Sequence, residues 1–304
     1  MTFTPESTHS RTADYVPEPL ISVIIPSHNR PVELVRAVTS ALNQTWKNLE
    51  IVVIDDASSE DMTPFQDFMD AFQGQKSQAS EKPTSANIQW IKLTENHGAC
   101  HARNVGLKSA KGEFINFLDD DDELFPDKLQ KQVQKFFNSN DPQLAVVTSH
   151  MVDVRSGDEI LTLNRHKGSL YPAILGSWLV KGIHTSLFKR EKLVSLGGFD
   201  EALEANQEYD LMIRLMEEHT VDYVDEPLCI AHRSRDQISL NFGKKRRGAR
   251  YLFQKHSDRF KAEGFFFYQL IRIKYRILDL RFWAGQRFGE KLYRRLTPGL
   301  GSRG

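Results

Sequence analysis

Residues 21–118 alternate between two hydrophobic periods, and that alternation leaves few architectures open. Ile21-Ser22-Val23-Ile24-Ile25 is a short β-branched run stopped by Pro26, as in a strand buried on both faces. Pro31 then opens a stretch in which Val32, Val35, Val38 and Leu42 recur at helical spacing around Glu33 and Arg36. Residues 49–54 return to a strand pattern that ends in Asp55-Asp56. A helix from near Asp61, a strand over 88–93, a helix over 97–109 and a strand over 113–118 continue the series. Four strands with intervening helices predict a doubly wound α/β sheet. Residues 73–87, polar and rich in Ser, Gln and Lys, read as a surface insertion.

The period changes in the second half. Residues 144–154 and 159–163 flank Arg155-Ser156-Gly157-Asp158, a hairpin turn in place of a crossover helix. Residues 209–218 read as a helix through Leu211, Ile213 and Leu215, followed by short strands around Tyr223 and Cys229. From Asn241 the chain is predicted to be helical, broken at Gly264, and no internal repeat occurs. The chain therefore divides into a patternless segment 1–19, expected to be disordered, a folded body 20–240 and a helical tail 241–304.

Charge sharpens the division. From Gly243 onward there are 17 Lys and Arg against 4 Asp and Glu, whereas the preceding residues hold 23 against 36, so an acidic body carries a basic tail. Cys100 and Cys229 are too few for a disulfide framework and too far apart for a metal knuckle, which points to buried packing residues in a reducing compartment. Residues 1–20 include Glu6, Arg11, Asp14 and Glu18 and no apolar stretch, unlike a secretory signal. The apolar residues 264–271 stop at Arg272, short of the roughly 20 a membrane span needs. A cytoplasmic protein is expected, with the tail either docked on the body or lying on a membrane surface.

Ligands of an open parallel sheet bind beyond the carboxyl ends of its strands. That rule selects Pro26-Ser27-His28-Asn29, Asp55-Asp56-Ala57-Ser58 and Asp119-Asp120-Asp121-Asp122. No glycine follows the first strand, so the dinucleotide fingerprint G-x-G-x-x-G is missing, as is the phosphate loop G-x-x-x-x-G-K-[ST]. Four successive carboxylates repel one another and are best tolerated around a divalent cation, magnesium or manganese being suited to hard oxygen ligands. A solvated loop or a helix cap is the plainer alternative.

Taken together, these motifs resemble the inverting nucleotide-sugar glycosyltransferases of family 2. The resemblance spans roughly residues 20 to 240. It rests on Ser22-Val23-Ile24-Ile25-Pro26-Ser27-His28-Asn29-Arg30, Ala41-Leu42-Asn43-Gln44-Thr45, Val53-Ile54-Asp55-Asp56-Ala57-Ser58, Asn96-His97-Gly98 with Ala102-Arg103-Asn104-Val105-Gly106, and Phe117-Leu118-Asp119-Asp120-Asp121-Asp122, which is similar to a D-x-D loop. It implies a GT-A fold, a doubly wound mixed sheet with a nucleotide half and an acceptor half, followed here by the basic helical tail. It also implies a nucleotide-diphosphate sugar donor, uridine diphosphate being the expected carrier, and a glycan or lipid-linked acceptor at the inner membrane face.

Site roles follow from the same resemblance. Pro26, His28 and Asn29 would line the nucleotide, with the His28 ring against the base; Asp56, with Asp55 beside it, would accept the base's ring N–H; Arg103 would reach the base or diphosphate. Asp119 and Asp120 would face the nucleotide sugar, and Asp121 and Asp119 would hold the cation. Gln207-Glu208-Tyr209-Asp210 is similar to the acidic acceptor motif, giving Glu208 as catalytic base and Asp210 as second candidate, reached through Gly197-Gly198-Phe199-Asp200. Many relatives carry a metal-contacting histidine where this chain has Arg235. His232, three residues earlier, is the substitute candidate, although on a regular strand it would sit on the opposite face about 10 Å away; Arg233 or Arg235 could instead steady the diphosphate. A sugar nucleotidyltransferase and a silent membrane-associated scaffold are the competing functions, and nucleic-acid binding lacks any reader motif.

Overall fold

The computed structural model describes residues 18–78, 86–155, 157–233 and 241–296. The series read from the sequence runs as β1 (Ile21–Ser27), α1 (Pro31–Leu42), β2 (Leu49–Asp55), α2 (Thr63–Gln78), β3 (Asn87–Lys92), α3 (Ala99–Ser109) and β4 (Phe114–Phe117). Part of the expected surface insertion is thus the end of α2, and residues 79–85 lie outside the described residues, as do 1–17. Next come β5 (Glu123–Leu124), α4 (Lys128–Phe137), and the hairpin β6 (Leu144–Arg155) and β7 (Asp158–Thr162). The second half adds α5 (Ala173–Gly176), a 3-10 turn at Ile183–Thr185, β8 (Leu187–Lys189), α6 (Arg190–Ser195), α7 (Gln207–Met216) and β9 (Thr220–Arg233). The tail holds α8 (Phe242–Lys255), α9 (Ser257–Ala262), α10 (Phe265–Phe288) and α11 (Glu290–Leu296), with Gly264 at the expected break.

Among the described residues all nine strands join one sheet in the order β3-β2-β1-β4-β8-β6-β9-β5, with β7 on β6. The first four are parallel, β4 to β8 to β6 is antiparallel, and β6 to β9 is parallel again. The chain moves outward from β1 to β3, then returns to place β4 on the other side of β1. This reversal opens a crevice at the carboxyl ends of β1 and β4. Side chains alternate across it: Ile24, Val52, Ile54, Ile115 and Phe117 feed one core, and Ile21, Val23, Ile25, Ile51, Val53 and Phe114 the other. A strand covered on both faces has no polar side to show, which is why the strands read as unbroken apolar runs.

One expectation changes. The short strands around Tyr223 and Cys229 are one strand, β9, whose pairing with β6 slips near Ser149 and His150, so that Pro227 is accommodated at an irregularity. The first helices of the tail dock on the body: Leu252, Phe260 and Ile271 share a core with Leu211, Ile213 and Leu215 of α7. Arg247 pairs with Glu204, and Arg259 with Glu217, so part of the basic tail is matched to the acidic body.

Candidate active site

The loops after β1 and β2 are stitched together before any ligand is considered. His28 Nδ1 donates to the Asp56 carbonyl at 2.8 Å, because a carbonyl can only accept, and Nε2 then receives the Asn29 amide at 3.1 Å. The ring is exposed and held in one orientation. Asn29 takes a left-handed backbone (φ 56°), and its side-chain oxygen accepts from the amides of Ser59 and Glu60. Pro26 lies in β1, opposite Ile54.

Asp55 accepts the Ser58 amide at 2.9 Å. The two carboxylate oxygens of Asp56 take the amides of His97 at 2.9 Å and Gly98 at 2.7 Å. Asp56 is therefore engaged by one backbone N–H group on each oxygen, which fixes the loop that leads into α3 and leaves further lone pairs on the carboxylate.

The acidic quartet divides its members among different partners. Asp119, about one-third exposed, accepts from Arg103 Nη2 at 2.6 Å. Asp120 and Asp121 both lie on Arg30, at 3.0 and 2.8 Å. Burial first, then repulsion from Asp122 and Asp119, pushes the Asp121 carboxyl up to about 7, with Arg30 opposing. Burial likewise raises Asp120. Asp122 is buried; one oxygen accepts the His232 amide at 3.0 Å and the other lies 2.9 Å from Nδ1 of His184.

One ligand atom each from Asp119, Asp122 and His184 lie within 4.8 Å of one another, the one cluster of metal-binding type among the described residues. The buried His184 ring holds its Nδ1 2.9 Å from Asp122, with Asp119 alongside. A buried imidazole beside two carboxylates fits a divalent cation as third partner. Burial alone would lower the His184 pKa, but Asp122 holds it well above the ordinary value. The cluster differs from the expected one. Asp121 is directed to Arg30, and the His232 ring bonds Glu123 at 2.8 Å while its backbone N–H meets Asp122. Arg235 lies outside the described residues.

His184 was missed because it sits on a three-residue turn ahead of a three-residue strand, too short for a periodic signal. Three buried amides hold it there. Asn116 donates to the carbonyls of His184 and Ser186, Gln132 to those of Val147 and Thr185, and Asn164 to those of Ser149 and Lys181. Gly182 (φ 76°) precedes it, and a Cβ there would come 3.0 Å from the imidazole. That glycine and the Thr185-Ser186 pair were the available sequence signal.

Arg103 connects the quartet to α7. It is buried, and although burial alone would lower its pKa, Asp119 and then Glu208 raise it. Glu208 is half-buried in the first turn of α7. Asp210, the other candidate base, has no exposed side-chain surface and is enclosed by Arg214 at 2.9 Å, Lys255 at 2.8 Å and His256 at 2.9 Å. Two of these three partners, Lys255 and His256, come from the tail. Asn104 pins the loop ahead of α7, donating to the Phe199 carbonyl and accepting its amide; Gly198 (φ 73°) passes so close that a Cβ would lie 2.4 Å from Asn104 Oδ1.

The model of the family described as Glycosyl transferase family 2 matches residues 22–194, which run from β1 into α6 and take in the quartet and His184. The chain belongs to glycosyl transferase family 2. Among relatives of this glycosyltransferase, an uncharacterized glycosyltransferase of Haemophilus influenzae is 27% identical over 228 residues, covering 73% of this chain and 72% of that one. WcaA of Escherichia coli, named for colanic acid biosynthesis, is 27% identical over 272 residues, covering 83% and 88%. Other relatives are longer: the chain spans 34% of an uncharacterized glycosyltransferase of Rickettsia felis. The fold is shared with Staphylococcus aureus TarS in complex with UDP (TM-score 0.57, 18% identity, 91% of this chain and 89% of that one). It is also shared with the mannosyltransferase PcManGT of Pyrobaculum calidifontis in complex with GDP-Man and Mn2+ (TM-score 0.56, 18% identity, 78% and 64%).

Proposed function

We propose that this family 2 glycosyltransferase moves a sugar, with inversion, from a nucleotide-diphosphate donor to a glycan or lipid-linked acceptor at the inner face of the plasma membrane. The observation that carries the proposal is the convergence of Asp119, Asp122 and His184 at the crevice where β1 and β4 end. Their donor set, two carboxylates and an imidazole, suits Mn2+ or Mg2+, which when bound would neutralise charge on the departing diphosphate. The Mn2+ in the mannosyltransferase complex supports the choice, and the UDP and GDP-Man of the two neighbours support a nucleotide donor.

The chain's own groups supply the rest. His28 presents a fixed ring face to the base, beside Asn29 and the end of β1. Glu208 takes the proton from the acceptor hydroxyl as its oxygen forms a bond to the anomeric carbon. The bond from that carbon to the diphosphate oxygen breaks on the opposite side, and a single displacement inverts the centre. Arg103, between Asp119 and Glu208, holds the two halves of the site in register. A uridine diphosphate sugar is the first donor to test.

The test is donor turnover with Mn2+. Asp119→Ala and His184→Ala should abolish cleavage, and Glu208→Gln should lower it by about 10²–10⁴-fold. Full turnover in excess chelator, or a product that keeps the donor's anomeric configuration, would overturn the proposal.

A further inference from the structure

Helix α10 has two apolar faces, and the body covers one of them. Ile271, Phe282 and Ala284 are buried, and Tyr268 and Tyr275 pack on the core shared with α7. Phe266, Leu270, Ile273, Ile277 and Leu280 are 86, 64, 55, 44 and 61% exposed. Their spacing of four, three, four and three residues makes a continuous stripe, about 21 Å long at 1.5 Å per residue. By the same helical geometry Arg276 and Arg287 border the stripe on one side and Arg281 on the other. None of the three has a carboxylate partner among the described residues. The helix's acidic residue, Asp279, is taken by Arg246 and Arg250. A groove of about 560 Å³ beside the stripe, between α8 and α10, is lined by Arg272 and Arg276 with Phe253 and Tyr275.

We propose that this outer face of α10 docks on an anionic phospholipid bilayer, with the stripe among the upper acyl chains and the bordering arginines on headgroup phosphates. Exposed apolar residues in a row call for a covering surface, and charge selects which one. A second copy packed about a two-fold axis would bring the same arginines to the same stripe with no free carboxylate to receive them. An anionic bilayer supplies acyl chains and phosphates together. No helix among the described residues is long and apolar enough to cross a membrane, so α10 would lie in the plane of the surface. The proposal deepens the reading of a membrane-borne acceptor, since α8 and α9 tie α10 to the helix that bears Glu208.

The test is flotation of the full chain on phosphatidylcholine vesicles with and without 30% phosphatidylglycerol, no donor present. Shortening the tail is unsuitable because it would strip Lys255 and His256 from buried Asp210. Leu270→Glu/Ile273→Glu/Ile277→Glu should lose at least tenfold in vesicle-bound fraction with donor hydrolysis unchanged. Arg276→Glu/Arg281→Glu should lose about fivefold per residue, on anionic vesicles only. Equal flotation of the triple variant and wild type would overturn the proposal, as would equal binding to neutral vesicles. A wild-type dimer that does not float and that the triple variant converts to monomer would assign the stripe to a second copy instead. Failure to float leaves the transfer chemistry standing, and loss of turnover in Glu208→Gln leaves the docking standing.

Discussion

Asp210→Ala and Glu208→Gln, two residues apart on α7, should fail in opposite ways. The Asp210 carboxylate is enclosed by Arg214, Lys255 and His256, all within 2.9 Å. Burial works to raise its pKa, but these partners win and hold it at about 2, below the ordinary carboxylate range. That depression corresponds to about 2 kcal/mol of folding stability at neutral pH. The folded-state pKa is the lower one, so this stability is present above about pH 4 and drains away as pH falls toward 2. Deleting the carboxylate also leaves three nitrogen bases of two helices facing each other in a buried space, a loss on the order of 3–5 kcal/mol. In a chain of this size that lowers Tm by about 10 °C. Glu208→Gln keeps the shape of a half-buried side chain and should leave Tm nearly unmoved while turnover collapses. Thermal melts at pH 7 and pH 3, paired with donor turnover well below both transitions, make the comparison; the Tm gap between Asp210→Ala and wild type should narrow at pH 3. An Asp210→Ala protein that melts like wild type yet is inactive would refute this assignment.

Three further substitutions probe the rest of the site. His184→Ala should weaken Mn2+ binding at least tenfold by calorimetry while the fold stays intact by circular dichroism; unchanged affinity would remove His184 from the ligand set. Asp121→Asn should raise the metal-free protein's Tm progressively between pH 4 and 7, because a carboxyl pushed up to about 7 destabilises the fold as pH climbs from its unfolded value to its folded one; a pH-independent difference would contradict this. Gly198→Ala should cost about 1–3 kcal/mol, combining a left-handed backbone with a Cβ only 2.4 Å from Asn104 Oδ1, and should raise the acceptor KM more than it lowers kcat. Wild-type stability there would mean the loop can move away at no cost.

What could be read in advance follows a physical line. β1 to β4 announced themselves because parallel strands covered on both faces need unbroken β-branched runs, and the loops at their ends could be located from the topology those runs imply. The quartet was visible for the same reason: four carboxylates closing an apolar strand have few structural uses. Which quartet members converge with His184 was not visible, because neighbours in sequence point to different sides of a tight loop. Asp121 turns to Arg30, and Asp122 to a histidine 62 positions away that arrives on a turn too short to carry a period. The backbone N–H of His232 meets Asp122 and its ring meets Glu123, a placement that depends on the slips in the pairing of β9 with β6. The order of Glu208 before Asp210 came from the resemblance alone, since the enclosure of Asp210 depends on which side of α7 the tail covers.

That covering also shows why the base and the tail belong to one device. Helix α7 is gripped from two sides. Asn104 and Arg103 of α3 reach it through the Gly198 loop and the charge of Glu208. From the other side, Lys255 bridges Asp200 in the preceding loop, at 2.6 Å, to Asp210 on the helix, at 2.8 Å. The first clamp refers Glu208 to the quartet, and hence to the donor; the second refers it to α8, and through the Arg246 and Arg250 pairs with Asp279 to α10. A single displacement needs the acceptor oxygen in line with the bond that breaks, and a shift of about 1 Å costs on the order of a hundredfold in rate. In the proposed reaction the sheet would hold the donor and the bilayer the acceptor, so the element that carries Glu208 would have to be rigidly connected to both.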